Sequence, residues 1–441
     1  MDWILALLAA FNTASMATVL YDRRTKRIAP PWTRFAYSLI TTELAWLWLP
    51  TQMILALLLC FAGALQSGLG LFALLVLIVS WGGLVSNIKK AFMAEQLTEE
   101  ALQEELGNHY LQEITPELRH RVENHADAKE WLNPFKMQRE DVEVIKDIAY
   151  GPNGVRQHLD IYRPKHLPKQ GCPVLLQIHG GAWTIGTKDS QALPLMQLMA
   201  SKGWICVAIN YRLSPSVGFP THLEDCKRAL CWIKTQGQEY GMNPDFVAVT
   251  GGSAGGHLTS LMGLTANMPE LQQDYPDVDT SLQAVVPFYG VYDVIGKMDN
   301  SSRDMFVNFL QHKVIFDTPE DNPELWDLAS PVTHLRPGLP PFMMVQGQID
   351  SLTTVAGARL FHQRLKQQDN TAVYLELLGA EHAFDTIHSP RTDAVIKGVH
   401  RFLEWSRSKH LESKQAATET KTPEAITPAD QSNKDQPVAE A

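Results

Sequence analysis

Hydrophobic and polar positions follow two different patterns along this chain. Between residues 140 and 410, short apolar runs come first as a pair and then alternate with longer amphipathic stretches. This alternation is typical of an α/β fold with a mostly parallel sheet and crossover helices. The predicted strands lie near residues 143–148, 157–162, 173–178, 204–210, 245–250, 283–289, 341–346 and 371–377.

The first ninety residues are apolar over much longer stretches. Residues 3–20, 44–66 and 69–85 are rich in Leu, Ala, Val and Trp, and the last of these stretches carries no charge. At 1.5 Å per helical residue, residues 69–85 span about 26 Å, which is close to the thickness of a thin bilayer core. The sequence predicts a membrane anchor of two to three helices within residues 1–90. Polar residues dilute residues 3–20, so whether this segment spans the membrane stays open.

Basic residues predict the orientation of this anchor. Arg and Lys residues between positions 23 and 34 precede the second apolar segment, and Lys89 and Lys90 follow the third. Because cytoplasmic loops are enriched in Lys and Arg, both clusters and the rest of the chain should face the cytoplasm. A multi-pass membrane protein is expected, although a re-entrant hairpin over residues 44–86 is an open alternative.

Composition indicates how the remainder of the chain is divided and which ligands it is expected to lack. We expect a helical linker or cap at 91–140, an α/β domain at 141–411 with an insertion at 294–340, and a disordered tail at 412–441. The net charge of −10 gives no reason to invoke nucleic acid. Five cysteines without paired metal spacing suggest reduced thiols, no metal and no cofactor.

A glycine-rich turn carries the first catalytic candidate. The apolar run 246–249 leads into Gly251-Gly252-Ser253-Ala254-Gly255-Gly256, and a helical pattern follows. Strand, sharp turn and helix are the context of a nucleophile elbow, whose small neighbours tolerate strained backbone and close approach. Ser253 is therefore the predicted nucleophile.

A second glycine turn lies about 70 residues upstream. The run 174–178 leads into His179-Gly180-Gly181-Ala182-Trp183. Backbone N–H groups in such a loop can stabilise the negative charge that develops on an attacked carbonyl oxygen. We expect Gly181 and Ala182, with Ala254 after the nucleophile, to form the oxyanion hole, and His179 to shape the loop.

A serine needs a histidine base, and the histidine needs a carboxylate that fixes its tautomer. On a nucleophile elbow the chain order is serine, acid, histidine. Asp350 and His382 each follow a predicted strand in that order. Rival carboxylates are Asp385 and Glu381, which flank the histidine, and Asp293, which ends another apolar run.

With these motifs in this order, the chain resembles the α/β-hydrolase superfamily, and within it the hormone-sensitive-lipase-like carboxylesterases and acetyl esterases. The resemblance covers about residues 140–410 and includes Tyr211-Arg212-Leu213. It departs from the family at Ala182, where an HGGG loop has glycine, and at Gly252, where many of these esterases have an acidic residue. The H-G-G-x-W form, with Trp183, is also similar to that of kynurenine formamidases and isoprenylcysteine methylesterases.

The sequence thus predicts a serine carboxylic ester hydrolase that acts on small to medium apolar or lipid-like esters. Trp183, Phe219 and His257 are candidates for the walls of the substrate pocket. Alternatives are an aryl formamidase, an isoprenylcysteine methylesterase-like hydrolase, or a non-catalytic membrane interaction protein with a hydrolase fold. The expected partners are an ester substrate and the lipid bilayer, and the oligomeric state stays open.

Overall fold

The N-terminal part of the chain is helical in the computed structural model, which describes residues 1–20, 31–122, 129–296 and 303–419. Its helices are α1 (Asp2–Leu20), α2 (Pro31–Thr42), α3 (Ala45–Phe61), α4 (Gly68–Phe92), α5 (Ala94–Leu106), α6 (Tyr110–Glu113), α7 (Pro116–Val122) and α8 (Lys129–Leu132). Helices α1, α3 and α4 coincide with the three apolar stretches of the sequence. We call α1 to α4 the helical unit. The basic residues at 23–27 lie outside the described residues.

The lengths of the N-terminal helices bear on the predicted membrane anchor. Within the described part of the chain, one continuous helical stretch, Gly68–Leu106, is long and apolar enough to cross a membrane. The apolar helices Asp2–Ala17 and Ala45–Phe61 are shorter than that criterion requires. Length and composition alone therefore do not support the prediction of several spanning helices.

The rest of the chain builds one eight-stranded sheet, as the described residues show it. Its strands are β1 (Val142–Ala149), β2 (His158–Pro164), β3 (Cys172–Ile178), β4 (Ile205–Ile209), β5 (Met242–Gly252), β6 (Ala284–Phe288), β7 (Phe342–Gly347) and β8 (Ala372–Leu377). Their spatial order is β1-β2-β4-β3-β5-β6-β7-β8, with β2 antiparallel to both its neighbours and every later pair parallel. All eight predicted strands are present, so the predicted α/β class is confirmed.

Helices cover both faces of this sheet. They are α9 (Leu193–Ser201), α10 (Thr221–Gln236), α11 (Ala254–Leu264), α12 (Arg303–Lys313), α13 (Pro323–Ala329), α14 (Val355–Lys366) and α15 (Pro390–Glu419). Successive residues of β3 alternate between two hydrophobic cores, with Val174 and Leu176 in one and Leu175 in the other. This burial on both faces explains why the central strands read as continuous apolar runs. The carboxyl ends of β3, β5, β6, β7 and β8 meet at one edge, where the candidate residues follow them.

Two parts of the predicted domain division change in detail. The apolar stripe of α5, with Leu102 and Leu106, is buried in the same core as α15 and β8, and Glu105 accepts a hydrogen bond from the N–H of Ala372 at the start of β8. This packing favours a linker over a cap at 91–140. The prediction of disorder from residue 412 is wrong for its first residues, because α15 continues to Glu419. Residues 420–441 lie outside the described residues.

Candidate active site

Ser253 occupies a sharp turn between β5 and α11. Its backbone has φ 60° and ψ −120°, a combination that non-glycine residues rarely adopt and that is typical of strained functional turns. The turn is held on both sides, since Ser253 N–H donates to the carbonyl of Phe288 at 3.0 Å and Ser253 C=O accepts from His257 at 3.0 Å. A Cβ at Gly255 would lie 2.1 Å from the carbonyl oxygen of Ile178, so only glycine fits there. The predicted elbow is therefore present.

A tyrosine occupies the space beside Gly252, where a side chain at this position would lie. A Cβ at Gly252 would lie 2.7 Å from both Cε2 and the hydroxyl oxygen of Tyr289. The Tyr289 hydroxyl donates a 2.5 Å hydrogen bond to Asp385, and the two side chains are buried. Tyr289 was not among the site residues predicted from the sequence. Its position could have indicated a site residue, because Tyr289 immediately follows β6, at the sheet edge where β5 also ends.

The loop after β3 carries two of the backbone N–H groups that the sequence predicts for an oxyanion hole. Gly181, Ala182 and Trp183 all have positive φ, at 117°, 52° and 60°. The N–H groups of Thr184 and Ile185 both donate to the carbonyl of Gly181 at 3.0 Å, which closes a tight turn. Among the described residues, no hydrogen bond uses the N–H of Gly181 or Ala182.

The third predicted donor is supplied by the start of a helix. Ala254 is the first residue of α11, where backbone N–H groups have no partner within the helix. The positive end of the helix dipole also lies here, and it favours negative charge.

His179 packs against the loop that carries Gly181 and Ala182. Its ring stacks on Tyr211 with centroids 4.4 Å apart, and its Nδ1 lies 2.7 Å from the carbonyl oxygen of Gly180. The Tyr211 hydroxyl donates to the carbonyl of His179 at 3.0 Å. Burial lowers the pKa of His179 to about 4, so the ring is neutral at pH 7. These contacts fit the loop-shaping role expected from the sequence.

Asp350 and His382 are brought together from the ends of β7 and β8. His382 Nδ1 lies 2.9 Å from Asp350 Oδ2, and both side chains are buried. Asp350 also accepts hydrogen bonds from the N–H groups of Leu352 and Thr353 and from the amide of Gln346. Burial by itself would raise the pKa of Asp350, but His382 and these donors outweigh it and lower the pKa below the ordinary value. Asp350 is therefore a charged acceptor that fixes the histidine ring.

The rival carboxylates have other partners. Asp385 accepts from the Tyr289 hydroxyl, and burial raises its pKa. Glu381 accepts from the backbone N–H of His382 at 3.1 Å, and Asp293 accepts from backbone N–H groups of its own turn. None of these hydrogen bonds reaches the ring of His382.

Ser253 and His382 lie at the same sheet edge and share a neighbour. The ring of Tyr289 lies 4.6 Å from the ring of His382, and it also touches the position beside Gly252. Among the described residues, no hydrogen bond joins Ser253 Oγ to His382. In enzymes without substrate this bond is often long and shortens when substrate binds.

The three predicted pocket residues form one buried aromatic cluster next to the oxyanion loop. The ring of His257 lies 5.1 Å from Trp183 and 6.4 Å from Phe219, and all three side chains are at most 5% exposed. His257 Nε2 lies 2.7 Å from the carbonyl oxygen of Ala329, and burial lowers its pKa to about 4. Phe306 of α12 packs 6.3 Å from Trp183, so the predicted insertion lies against this cluster.

One group of potential metal ligands exists among the described residues, away from the elbow. His388 Nδ1 lies 2.9 Å from Asp393 and 3.7 Å from Glu130. Arg139 pairs with Glu130 at 2.6 Å, and the indole of Trp131 donates to Asp393 at 2.5 Å. Because these protein donors already occupy the carboxylate oxygens, the group is an ion-pair network. The expected absence of metal and cofactor stays a prediction.

Comparisons with known proteins agree with this architecture. The family described as BD-FAE matches residues 159–365. Over 259 residues, 58% of this chain, the sequence is 47% identical to the probable carboxylic ester hydrolase LipM and 43% identical to the esterase LipQ, both of Mycobacterium tuberculosis. The chain spans only 60 and 61% of the lengths of these relatives.

Solved structures agree on the fold. Esterase B from Lactobacillus rhamnosis superimposes with a TM-score of 0.53 at 22% identity, over 73% of this chain and 98% of that chain. The mostly parallel sheet with flanking helices, the strand-turn-helix around Ser253 and this similarity define an α/β-hydrolase fold.

Proposed function

We propose that this protein is a serine carboxylic ester hydrolase. The observation that carries the proposal is the buried hydrogen bond between Asp350 and His382, at the sheet edge where Ser253 stands on its strained turn. The esterase names of the relatives that are 43 and 47% identical support the same activity.

The proposed reaction passes through an acyl-enzyme. Ser253 Oγ attacks the ester carbonyl carbon while His382 Nε2 accepts the hydroxyl proton. The carbonyl oxygen becomes an oxyanion, which the N–H groups of Gly181, Ala182 and Ala254 stabilise. The intermediate collapses, the C–O bond to the alcohol breaks, and the proton on His382 passes to the leaving alkoxide oxygen. His382 Nε2 then takes a proton from water, whose oxygen attacks the acyl carbon. The bond from that carbon to Ser253 Oγ breaks, the proton passes from His382 to Ser253 Oγ, and the acid is released.

Asp350 has a separate role in this mechanism. As an ionised acceptor on Nδ1, it keeps the proton of neutral His382 on that nitrogen and leaves Nε2 free to act as the base. When His382 becomes an imidazolium, the buried negative charge of Asp350 stabilises it.

Small to medium-sized apolar esters fit the surroundings of this site best. Trp183, Phe219 and His257 form an apolar wall, and the neutral imidazole of His257 adds no charge to it. Phe306 extends this wall with a residue of the insertion. We propose that this aromatic cluster contacts the acyl or alcohol group of the substrate.

Replacing the nucleophile tests the activity. Ser253→Ala should lower turnover of p-nitrophenyl acetate, butyrate and longer esters by at least about 10⁴-fold, because no other residue of the elbow, 251–256, has a nucleophilic side chain. Ser260→Ala is the matched control, since Ser260 lies in α11, which follows Ser253, and its hydroxyl donates to the carbonyl of Gly256 within that helix. Unchanged turnover in Ser253→Ala contradicts the mechanism. Wild-type protein that cleaves aryl formamides and no ester places the chain in the alternative amide class.

We propose that the helical unit lies in a lipid bilayer. Beside an apolar core, its interior contains a polar network, in which Asn12 Nδ2 donates to Ser80 at 2.5 Å, Gln52 donates to Asn12 at 2.9 Å, and Trp81 donates to Gln52 at 2.9 Å. Its outer surface is apolar, with Leu7, Phe11, Ile54, Leu57, Leu58, Phe61, Leu71, Phe72, Leu75 and Val79 exposed. Polar contacts between helices and apolar groups outside are the arrangement that lipid favours.

The ends of the helices support an orientation. Ser67 donates to Asp2 at 2.7 Å, so α1 and α4 start at the same end, and Lys89 and Lys90 close α4 at the other end, beside the sheet domain. The sheet domain would then face the cytoplasm. An alkaline carbonate wash tests whether the helical unit lies in the bilayer. Retention of the protein in the membrane fraction supports that placement, and release into the supernatant contradicts it.

A further inference from the structure

A buried carboxylate of the helical unit reaches the sheet domain close to the candidate histidine. Glu43 lies in the turn between α2 and α3 and is 1% exposed. Its Oε1 pairs with the guanidinium of Arg391, and its Oε2 accepts a 2.8 Å hydrogen bond from the Ser389 hydroxyl. Arg391 and Ser389 are fully buried. A carboxylate therefore lies at the buried contact between the helical unit and the sheet domain, where an apolar side chain could also have packed.

The partners of Glu43 hold both ends of the segment that carries His382. We call residues 378–392 the histidine loop. Arg391 Nη2 donates to the carbonyl of Leu378 at 3.1 Å, before the histidine. After the histidine, Ser389 Oγ accepts from the N–H of Thr392 at 3.0 Å, and the Thr392 hydroxyl donates to the carbonyl of Phe384 at 3.2 Å. Glu43 thus fixes the start and the end of the loop in one network.

The histidine loop has little regular structure of its own. Between β8 and α15 it contains one short 3₁₀ turn, Phe384–Thr386, and Ala383 has a positive φ of 54°. Arg391 joins the strand before this loop to the helix after it. Neighbouring segments also contact the loop, since the N–H of Ile349 donates to the carbonyl of Ala380 at 3.0 Å and the N–H of His388 donates to the carbonyl of Pro134 at 3.0 Å. Such a loop depends on its surroundings for the position of His382.

We propose that Glu43 is a positioning residue for His382, so that the helical unit is part of the catalytic apparatus and not merely a tether. The inference rests on the proposed esterase function. When Glu43 is lost, Arg391 is left without its carboxylate, the hold on Leu378 loosens, and His382 shifts relative to Ser253. A displacement of about 1 Å from working geometry can cost about 100-fold in rate.

Kinetics of the full chain in detergent test this inference. Glu43→Gln should lower kcat for p-nitrophenyl butyrate by at least about 10-fold and leave KM within about twofold, since His382 acts in the chemical step. Arg391→Met should have a similar effect. The double variant should lose no more than either single variant, because the two side chains act as one unit.

The matched control is Gln52→Ala. Gln52 is also buried in the helical unit and donates to Asn12 at 2.9 Å, and no hydrogen bond among the described residues joins it to the histidine loop. Its kcat should stay within about twofold of wild type. If Glu43→Gln lowers only the unfolding midpoint and keeps the wild-type kcat, Glu43 is merely structural and the inference fails. If Glu43→Gln does not fold, Arg391→Lys is the milder test, with an expected partial loss of kcat.

Hydrogen exchange separates this inference from the proposed activity. Peptides that cover residues 378–392 should exchange faster in Glu43→Gln than in wild type, and those from β5 should not change. Unchanged exchange in the histidine loop overturns the inference even if the protein is an esterase. Wild-type protein that cleaves no ester overturns the proposed function, whereas exchange still reports whether Glu43 holds the loop.

Discussion

A single methyl group added at Gly252 should disturb the candidate site directly. In Gly252→Ala the new Cβ would lie 2.7 Å from Cε2 and from the hydroxyl oxygen of Tyr289. Non-bonded carbon atoms prefer about 3.5–4.0 Å, so the ring must move by about 1 Å. The ring is fixed by its hydrogen bond to Asp385 and by its packing 4.6 Å from His382. Overpacking of this kind costs about 1–3 kcal/mol of stability, and a 1 Å shift passed to His382 costs about 100-fold in kcat.

Ester hydrolysis and thermal unfolding of the detergent-solubilised protein check this expectation. Gly252→Asp, which introduces the acidic residue common in similar esterases, should be at least as harmful. In a Tyr289→Leu background, Gly252→Ala should cost less stability than in the wild-type background, because the smaller side chain relieves the clash. A Gly252→Ala variant that keeps the wild-type kcat and the wild-type unfolding temperature would contradict the expected clash with Tyr289.

Two further predictions concern charge. Asp350→Asn should lower kcat by about 10³–10⁴-fold, because an amide can present N–H to His382 and stabilise the wrong tautomer, whereas Asp293→Asn should not; the reverse pattern would identify Asp293 as the acid. His257 has a folded pKa of about 4 against about 6.5 when unfolded, so its stabilisation is complete above pH 6.5 and is lost as the pH falls towards 4. His257→Gln removes this titrating group and should reduce the acid-induced loss of unfolding free energy by up to about 3 kcal/mol. Denaturant titration at several pH values measures this difference. The control His312→Gln, at an exposed position, should leave the acid-induced loss as it is in wild type.

The sheet and the elbow could be predicted because their physical causes are local. A strand buried on both faces must be apolar along its length, and the turn at Ser253 needs small residues on both sides. Asp350 and His382 were found from their positions after strands, since parallel strands bring their carboxyl ends to one edge. The hydrogen bond between them agrees with that expectation.

Other features depend on contacts between distant parts of the chain. Nothing near Glu43 in sequence indicates Arg391, which lies 348 positions away. Tyr289 and Asp385 are separated by 96 positions, and their pairing follows from how β6 and the histidine loop meet. Leu102 and Leu106 give α5 an apolar stripe, but periodicity alone does not say which surface covers it. The end of α15 was missed because its last turns are polar and exposed.

The contact of Glu43 and Lys90 with the histidine loop has a consequence for how substrate is encountered. Lys90 lies beside Gly379, so the sheet edge with Ser253 and His382 is close to the base of the helical unit. With that unit in a bilayer, an apolar ester dissolved in the lipid would diffuse to the enzyme in two dimensions. Turnover would then follow the mole fraction of ester in the surface, and adding inert lipid at constant bulk ester concentration would slow the reaction by dilution.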